Sequence, residues 1–228
     1  MNKGIFYGVG VGPGDPELLT QKAVRLIKSC DVIAVPHKDT EKCFAYRIAR
    51  GAVPEIQEKP VLPIDMPMTH DSHVREAADE AGADAIQSAL DRGRTVVFLT
   101  LGDPSVYSTF AYLESRIAAR GYETQWVPGV PSFCASAAAL KVPLCTDREE
   151  LHLIPGSAAA KDALGYPGTK VFMKGELGEL LSALKASETD AQAVENCGTE
   201  NERIYRTVND VPEDAGYYLV TIAKEKKA

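Results

Sequence analysis

Several short apolar runs in this chain stop abruptly at a glycine- or proline-bearing turn, and this pattern constrains the fold more than any other feature. The clearest is Thr95-Val96-Val97-Phe98-Leu99, which feeds into Thr100-Leu101-Gly102-Asp103-Pro104-Ser105-Val106-Tyr107-Ser108-Thr109. So apolar a run reads as a buried strand, and a helical pattern starts near Tyr107. Gly102 permits close backbone approach to a ligand, and Pro104 stiffens the corner. Similar stops occur at Gly12-Pro13-Gly14-Asp15, Pro128-Gly129-Val130-Pro131-Ser132, Met173-Lys174-Gly175 and Asn196-Cys197-Gly198-Thr199. Any one of them is an ordinary turn. As a set they matter, because open α/β sheets bind ligands outside the carboxyl ends of their strands.

Strands and helices alternate along the chain. Gly4–Gly12 reads as a strand running out into glycines. Asp15 suits an N-cap and Pro16 a first helical position, and the stripe Leu18, Leu19, Ala23, Leu26, Ile27 predicts a helix over 17–29. Asp31–Val35 is a second strand, and this β-α-β order predicts a parallel pair. Next come a helix over 37–50, an extended piece over 53–62 broken by prolines, and a loop over 65–72 exposed at one side of a cleft. A helix over 74–92 stops at Gly93, and the helix after Tyr107 stops at Gly121. Beyond these lie a strand over 123–127, a small-residue helix over 134–140 and an irregular segment over 157–168. Strands at 151–156, 169–175, 191–198 and 217–223 and a helix at 177–185 complete the chain. The class is α/β. We expect two α/β lobes, 1–121 and 122–228, hinged between Arg120 and Pro128, with a ligand cleft between them.

Charge and cysteine usage remove several function classes. A net charge of -7 opposes nonspecific binding to nucleic acid or to an anionic membrane. No apolar run approaches the ~20 residues of a membrane-spanning helix. The strand-like run begins within four residues of Met1, which leaves no room for a signal peptide. The five cysteines show no C-x-x-C pair, as expected of reduced thiols in a cytoplasmic protein.

The glycines Gly8, Gly10, Gly12 and Gly14 superficially suit a dinucleotide loop, with Asp31 near the end of the unit. The spacing G-x-G-x-x-G is absent, however. Pro13 removes an N–H, and Asp15 sets a negative charge where a phosphate would lie. That weakens a nucleotide-dependent oxidoreductase. His37, His70, His73 and His152 form no metal-ligand spacing, so no protein metal site is expected, and no G-x-S-x-G elbow occurs. Lys38, Arg47, Arg75, Lys174, Arg203 and Arg206 lie near strand ends or loops and are candidates to pair with substrate carboxylates. Backbone groups, a carboxylate and a methionine wall suit an uncharged adenosyl group better than a polyphosphate.

These residues resemble the tetrapyrrole (class III) methyltransferase family. Its G-x-G-P-G-D loop matches Gly10–Asp15, its G-D-P turn matches Gly102–Pro104, and its Pro-Gly turn before a small-residue helix matches Pro128-Gly129. Leu62-Pro63-Ile64-Asp65-Met66-Pro67-Met68-Thr69, the 100–109 segment and Pro128–Phe133 are most similar to the precorrin-2 (cobalt-factor II) C20-methyltransferases. Met66 stands where phenylalanine is usual, and Pro131 where threonine or serine is usual. The resemblance covers nearly the whole chain. It implies a tetrapyrrole methylase-like fold of two lobes, a homodimer, and S-adenosylmethionine (SAM) bound in the cleft and released as S-adenosylhomocysteine. The implied cofactor shell is Pro13, Leu101, Gly102, Asp103, Val106, Pro131, Ser132, Met173 and Gly198. The implied substrate is precorrin-2 or cobalt-factor II, methylated at the C20 meso carbon in cobalamin synthesis; another tetrapyrrole carbon is the alternative. Asp103 and Tyr107 are the candidates to take the proton that C20 must lose, and capping of its own turn is the competing role for Asp103. A locally positive rim is expected around a substrate so rich in carboxylates.

Overall fold

The computed structural model describes residues 3–69, 71–156, 160–173, 177–187 and 189–225. The chain divides into two compact units, Met1–Pro131 and Ser132–Ala228.

The first unit is built on a five-stranded sheet of β1 (Ile5–Gly10), β2 (Val32–Val35), β3 (Val61–Pro63), β4 (Val96–Thr100) and β5 (Glu123–Val127), in the order β3-β2-β4-β1-β5. Every pairing is parallel, so all five carboxyl ends share one edge. The pleat sorts side chains to two faces. Val9, Val97 and Leu99 pack with α1 (Gln21–Ser29) and α2 (Phe44–Ala52) through Leu26, Ile27 and Ile48. Phe6, Val96 and Phe98 pack with α3 (Ser72–Leu90) and α4 (Phe110–Ala119) through Ile86, Leu90, Phe110 and Leu113. Phe110 lies 5.2 Å from Phe6 and 6.1 Å from Phe98 between ring centres. Contacts of this kind add roughly 0.5–1.5 kcal/mol each beyond simple burial.

Three expectations change here. β1 and β2 are parallel but not neighbours, because β4 inserts between them and pairs with both. The helix expected over 17–29 is broken: Asp15 caps a short 3-10 turn, Pro16–Leu18, and Thr20 then caps α1 by accepting from the Ala23 N–H. The segment expected to hinge, 120–128, contains β5, which pairs along its length with β1. The first unit therefore runs on to Pro131, past the boundary at 121 read from the sequence.

The second unit carries a mixed sheet, ordered β6-β7-β10-β8-β9, of β6 (Leu151–Pro155), β7 (Thr169–Met173), β8 (Thr189–Glu195), β9 (Arg203–Tyr205) and β10 (Leu219–Glu225). β6 and β7 are parallel, and the other pairings are antiparallel. α5 (Ser132–Leu140) packs against β8 and β10. Leu180, Leu181 and Leu184 of α7 (Leu177–Ala186) join Ala163 of α6 (Ala160–Leu164) over Phe172, Ala193 and Ala223. Within the segment read as irregular over 157–168, residues 160–164 form α6; residues 157–159 lie outside the described residues. The strand β9, Arg203-Ile204-Tyr205, is too short to be read from the sequence and is held by pairing with β8. Among the described residues no helix is long and apolar enough to cross a membrane.

Candidate functional site

In the first unit, the carboxyl ends of β1, β4 and β5 converge. Gly12 and Gly102 pair across their turns, Gly102 N–H donating to Gly12 O at 2.8 Å and Gly12 N–H to Gly102 O at 3.3 Å. A Cβ on Gly10 would lie 2.5 Å from the Gly102 oxygen, and one on Gly129 would lie 2.2 Å from that same oxygen. No side chain fits at either position, so three backbones meet directly at this edge.

Asp103 fastens the arrangement. Its Oδ1 accepts from the Ser105 N–H at 2.8 Å and from the Ser105 hydroxyl at 2.5 Å, and its Oδ2 accepts from the Gly129 N–H at 2.9 Å. The carboxylate thus both caps its own turn and ties it to the turn after β5. Val106 N–H closes the turn on the Asp103 carbonyl at 3.2 Å. Tyr107 then takes a left-handed φ of 48°, which non-glycine residues adopt at a cost, and its side chain is exposed. Ser108 Oγ sits 2.7 Å from Thr100 Oγ1 and accepts from the Phe110 N–H, which delays α4 to Phe110 rather than Tyr107.

Of the residues singled out from the sequence, Pro13, Leu101, Gly102, Asp103, Val106 and Tyr107 come together at this edge, and Pro131 ends the strand-following turn of β5. Pro13 is buried directly behind Gly12. Gly10, Gly129 and Ser105 complete the edge. The close approach of Gly10 and Gly129 to Gly102 was hidden in the sequence because it depends on strand neighbours far apart in the chain, whereas Ser105 contacts Asp103 within its own turn.

In the second unit, Met173 and Gly198 lie at one end of the sheet. Val220 pairs with Met173 on one side and with Val194 on the other, so the ends of β7 and β8 flank the start of β10. Met173 is 8% exposed and its carbonyl accepts from the Gly156 N–H. Gly198, at φ 79°, donates its N–H to Glu202 Oε2 at 2.7 Å. The neighbouring Cys197 thiol is pushed up to about 11, chiefly by burial, with the Ser136 hydroxyl opposing and Glu202 adding to the rise. Ser132 opens α5, one helical turn before Ser136. Lys174 and Gly175 of the predicted turn, and His70, lie outside the described residues.

The candidate cations separate clearly. Lys38 pairs with Asp65 at 3.0 Å, Arg47 sits 5.6 Å over the Phe44 ring, and Arg206 donates to the Leu140 carbonyl at the end of α5. Arg203 is an exposed residue of β9, and Arg75 forms no ion pair among the described residues. His37 Nδ1 accepts from the Asp39 N–H, His152 faces Glu150 at 3.2 Å, and His73 is exposed in the first turn of α3.

Residues 6–211 match the family model of tetrapyrrole (corrin/porphyrin) methylases. The chain belongs to the tetrapyrrole methylase family. Among its methylase relatives is a probable cobalt-precorrin-2 C(20)-methyltransferase from Methanocaldococcus jannaschii, 36% identical over 81% of this chain and 80% of that protein. A cobalt-precorrin-2 C(20)-methyltransferase from Salmonella typhimurium is 35% identical over 75% of this chain and 73% of its own length. The fold is shared with uroporphyrin-III C-methyltransferase from Thermus thermophilus, solved with S-adenosylhomocysteine, at a TM-score of 0.68 and 24% identity over 97% of this chain and 98% of that one. The methylase sheets and their alternating helices are thus those of an α/β protein with one sheet in each unit.

Proposed function

We propose that this chain is a SAM-dependent C-methyltransferase that methylates C20 of precorrin-2 or cobalt-factor II in corrin ring synthesis. The observation that carries the cofactor class is the donor set of the strand edge. Pro13 offers no N–H, Asp15 and Asp103 place carboxylates in the loops, and three backbones leave no room for side chains. Such an edge suits a neutral adenosyl group and a sulfonium cation better than a pyrophosphate. The substrate assignment rests on the C20-methyltransferase relatives.

When bound, SAM supplies a methyl group already activated on sulfur. The residues' task is then mainly orientation, which in favourable cases lowers a barrier by about 7–11 kcal/mol. In this reading the first-unit residues Pro13, Leu101, Gly102, Val106 and Pro131 would hold the cofactor through backbone and short side chains. Asp103 holds the β4 and β5 turns in register and sets a negative charge near the sulfonium. Its three donors come from the protein itself, and this favours the clamp over the base. Tyr107, exposed at the strained position of the turn, is the residue we assign to contact the substrate and assist loss of the C20 proton.

The reading includes a homodimer and a cytoplasmic location, with no nucleic-acid or membrane partner, in keeping with a net charge of -7. Sedimentation of the purified protein tests the dimer. Incubation with SAM and each of the two substrates, followed by location of the new methyl group, tests the activity.

A further inference from the structure

We propose that a cavity in the first unit, beside the Gly102 turn, is the subsite that takes the carboxylate arms of the tetrapyrrole; this rests on the methyltransferase reading. The cavity has a volume of about 610 Å³, is open to solvent on one side and is lined by three segments. Met66, Pro67, Met68 and Thr69 follow β3 and form an apolar wall. Ser72, Arg75, Glu76 and Asp79 form one stripe of α3, and Thr109, Tyr112 and Arg116 form one stripe of α4. Deeper along the same two helices the facing residues turn apolar, with Ala83, Ile86, Leu113 and Ile117 closing the core. The cavity lies at the ends of the two helices near the carboxyl edge of the sheet, where Thr109 follows the Gly102–Val106 turn by a few residues, and the polar side continues beyond it through Arg116 and Arg120 to Glu80 and Asp84.

The charges inside the cavity are not equivalent. Arg116 is engaged, at 3.5 Å from Asp79 and 3.4 Å from Glu80, and it donates to the Tyr112 carbonyl at 3.0 Å. Arg120, one turn further on, is bound to Glu80 and Asp84. Asp79 is nearly buried; burial raises its carboxyl, with Arg116 and Arg75 opposing. Glu76 is the other negative group facing the space. Arg75 is exposed at the rim and has no ion pair among the described residues, so its planar fork is the group left to take an anion. A methionine wall and an exposed tyrosine beside that fork suit a ligand with an apolar ring and carboxylate arms, the chemistry of a tetrapyrrole edge.

The test uses the full chain and the variants Arg75→Gln, Arg75→Lys and Glu76→Gln. One arm measures fluorescence titration with uroporphyrin III, a stable carboxylate-rich tetrapyrrole, at rising salt. The other measures kcat and KM for precorrin-2 at saturating SAM, with SAM affinity determined separately. We expect Arg75→Gln to weaken uroporphyrin binding and raise KM by about tenfold, the scale of one charge-assisted hydrogen bond. Arg75→Lys should recover part of the loss, Glu76→Gln should tighten binding, and SAM affinity should not move. Unchanged uroporphyrin affinity and KM in Arg75→Gln would overturn the proposal, as would an equal loss of SAM affinity. Arg75-dependent uroporphyrin binding by a protein that transfers no methyl to either precorrin-2 or cobalt-factor II would support the subsite and refute the proposed reaction.

Discussion

The Gly129 N–H donates to Asp103 Oδ2 at 2.9 Å, and this one bond joins the turn after β4 to the turn after β5. Asp103→Ala removes that acceptor and both contacts to Ser105. We expect a stability loss of about 2–3 kcal/mol, the cost of leaving partly buried donors unmade, and a SAM affinity weakened about tenfold or more. Denaturant unfolding and calorimetric titration measure the two effects. Asp103→Asn keeps one acceptor oxygen for three donors, so it loosens the clamp while deleting any base, and SAM affinity read beside kcat tells the two effects apart. A base contributes a factor of about 10²–10⁴ to turnover, so a clamp predicts kcat within about tenfold of the natural enzyme at saturating SAM. A larger fall in kcat with SAM affinity unchanged would reinstate the base.

Gly129→Ala is a sharper test of the convergent backbones. Its Cβ would fall 2.2 Å from the Gly102 oxygen and 2.9 Å from two Gly10 backbone atoms. None of these is the tip of a flexible side chain, so the strands themselves must move. We expect a loss of at least about 3 kcal/mol, at the upper end of overpacking costs, together with loss of SAM binding. A variant as stable as the natural protein would mean the turns are looser than described.

Tyr107 is held at φ 48° with its side chain exposed. Tyr107→Phe keeps the backbone and the ring and deletes only the hydroxyl. We expect unchanged SAM affinity, with kcat lowered about tenfold or more as the hydroxyl meets the substrate at the transition state. Equal kcat in the two proteins removes Tyr107 from the chemistry.

How much of this was legible in the sequence can be argued residue by residue. The buried strand ending at Thr100 was plain from five consecutive apolar or β-branched residues, and its Gly-Asp-Pro corner marked the edge where a ligand would bind. Strand order was not plain, since hydrophobicity says that β1 and β2 are buried but not that β4 lies between them. The strand over 123–127 was legible, but its pairing with β1, which carries it into the first unit, was not, because Glu123, Thr124 and Gln125 show no partner in their local sequence. The clamp between Asp103 and Gly129 and the cavity joining Met66, Arg75 and Tyr112 both depend on tertiary neighbours, for which local spacing holds no signal.

The cysteines give a test independent of ligand. Burial pushes the Cys30 and Cys197 thiols up to about 11, and it raises Cys43 as well. A raised thiol pKa lowers the thiolate fraction at all three, and at pH 8 Cys30 and Cys197 carry well under about one part in a hundred of the reactive form. Cys145 and Cys134 are exposed, and partial burial raises the Cys134 thiol as well, so its labelling is the slower of the two. Mass mapping of thiol labelling at pH 8 should find Cys145 and Cys134 modified in the native protein, with the three buried thiols modified only on unfolding. Rapid labelling of Cys197 would show that the turn bearing Gly198 opens readily.

The most direct measurement is single-turnover incubation of the purified protein with ¹³C-methyl SAM and precorrin-2, and separately with cobalt-factor II, followed by NMR location of the label. A C20-methyltransferase places one labelled methyl on the C20 meso carbon of at least one of the two and releases S-adenosylhomocysteine in equal amount. A label on any other carbon, or no transfer to either substrate by a protein that binds SAM, contradicts the proposed function.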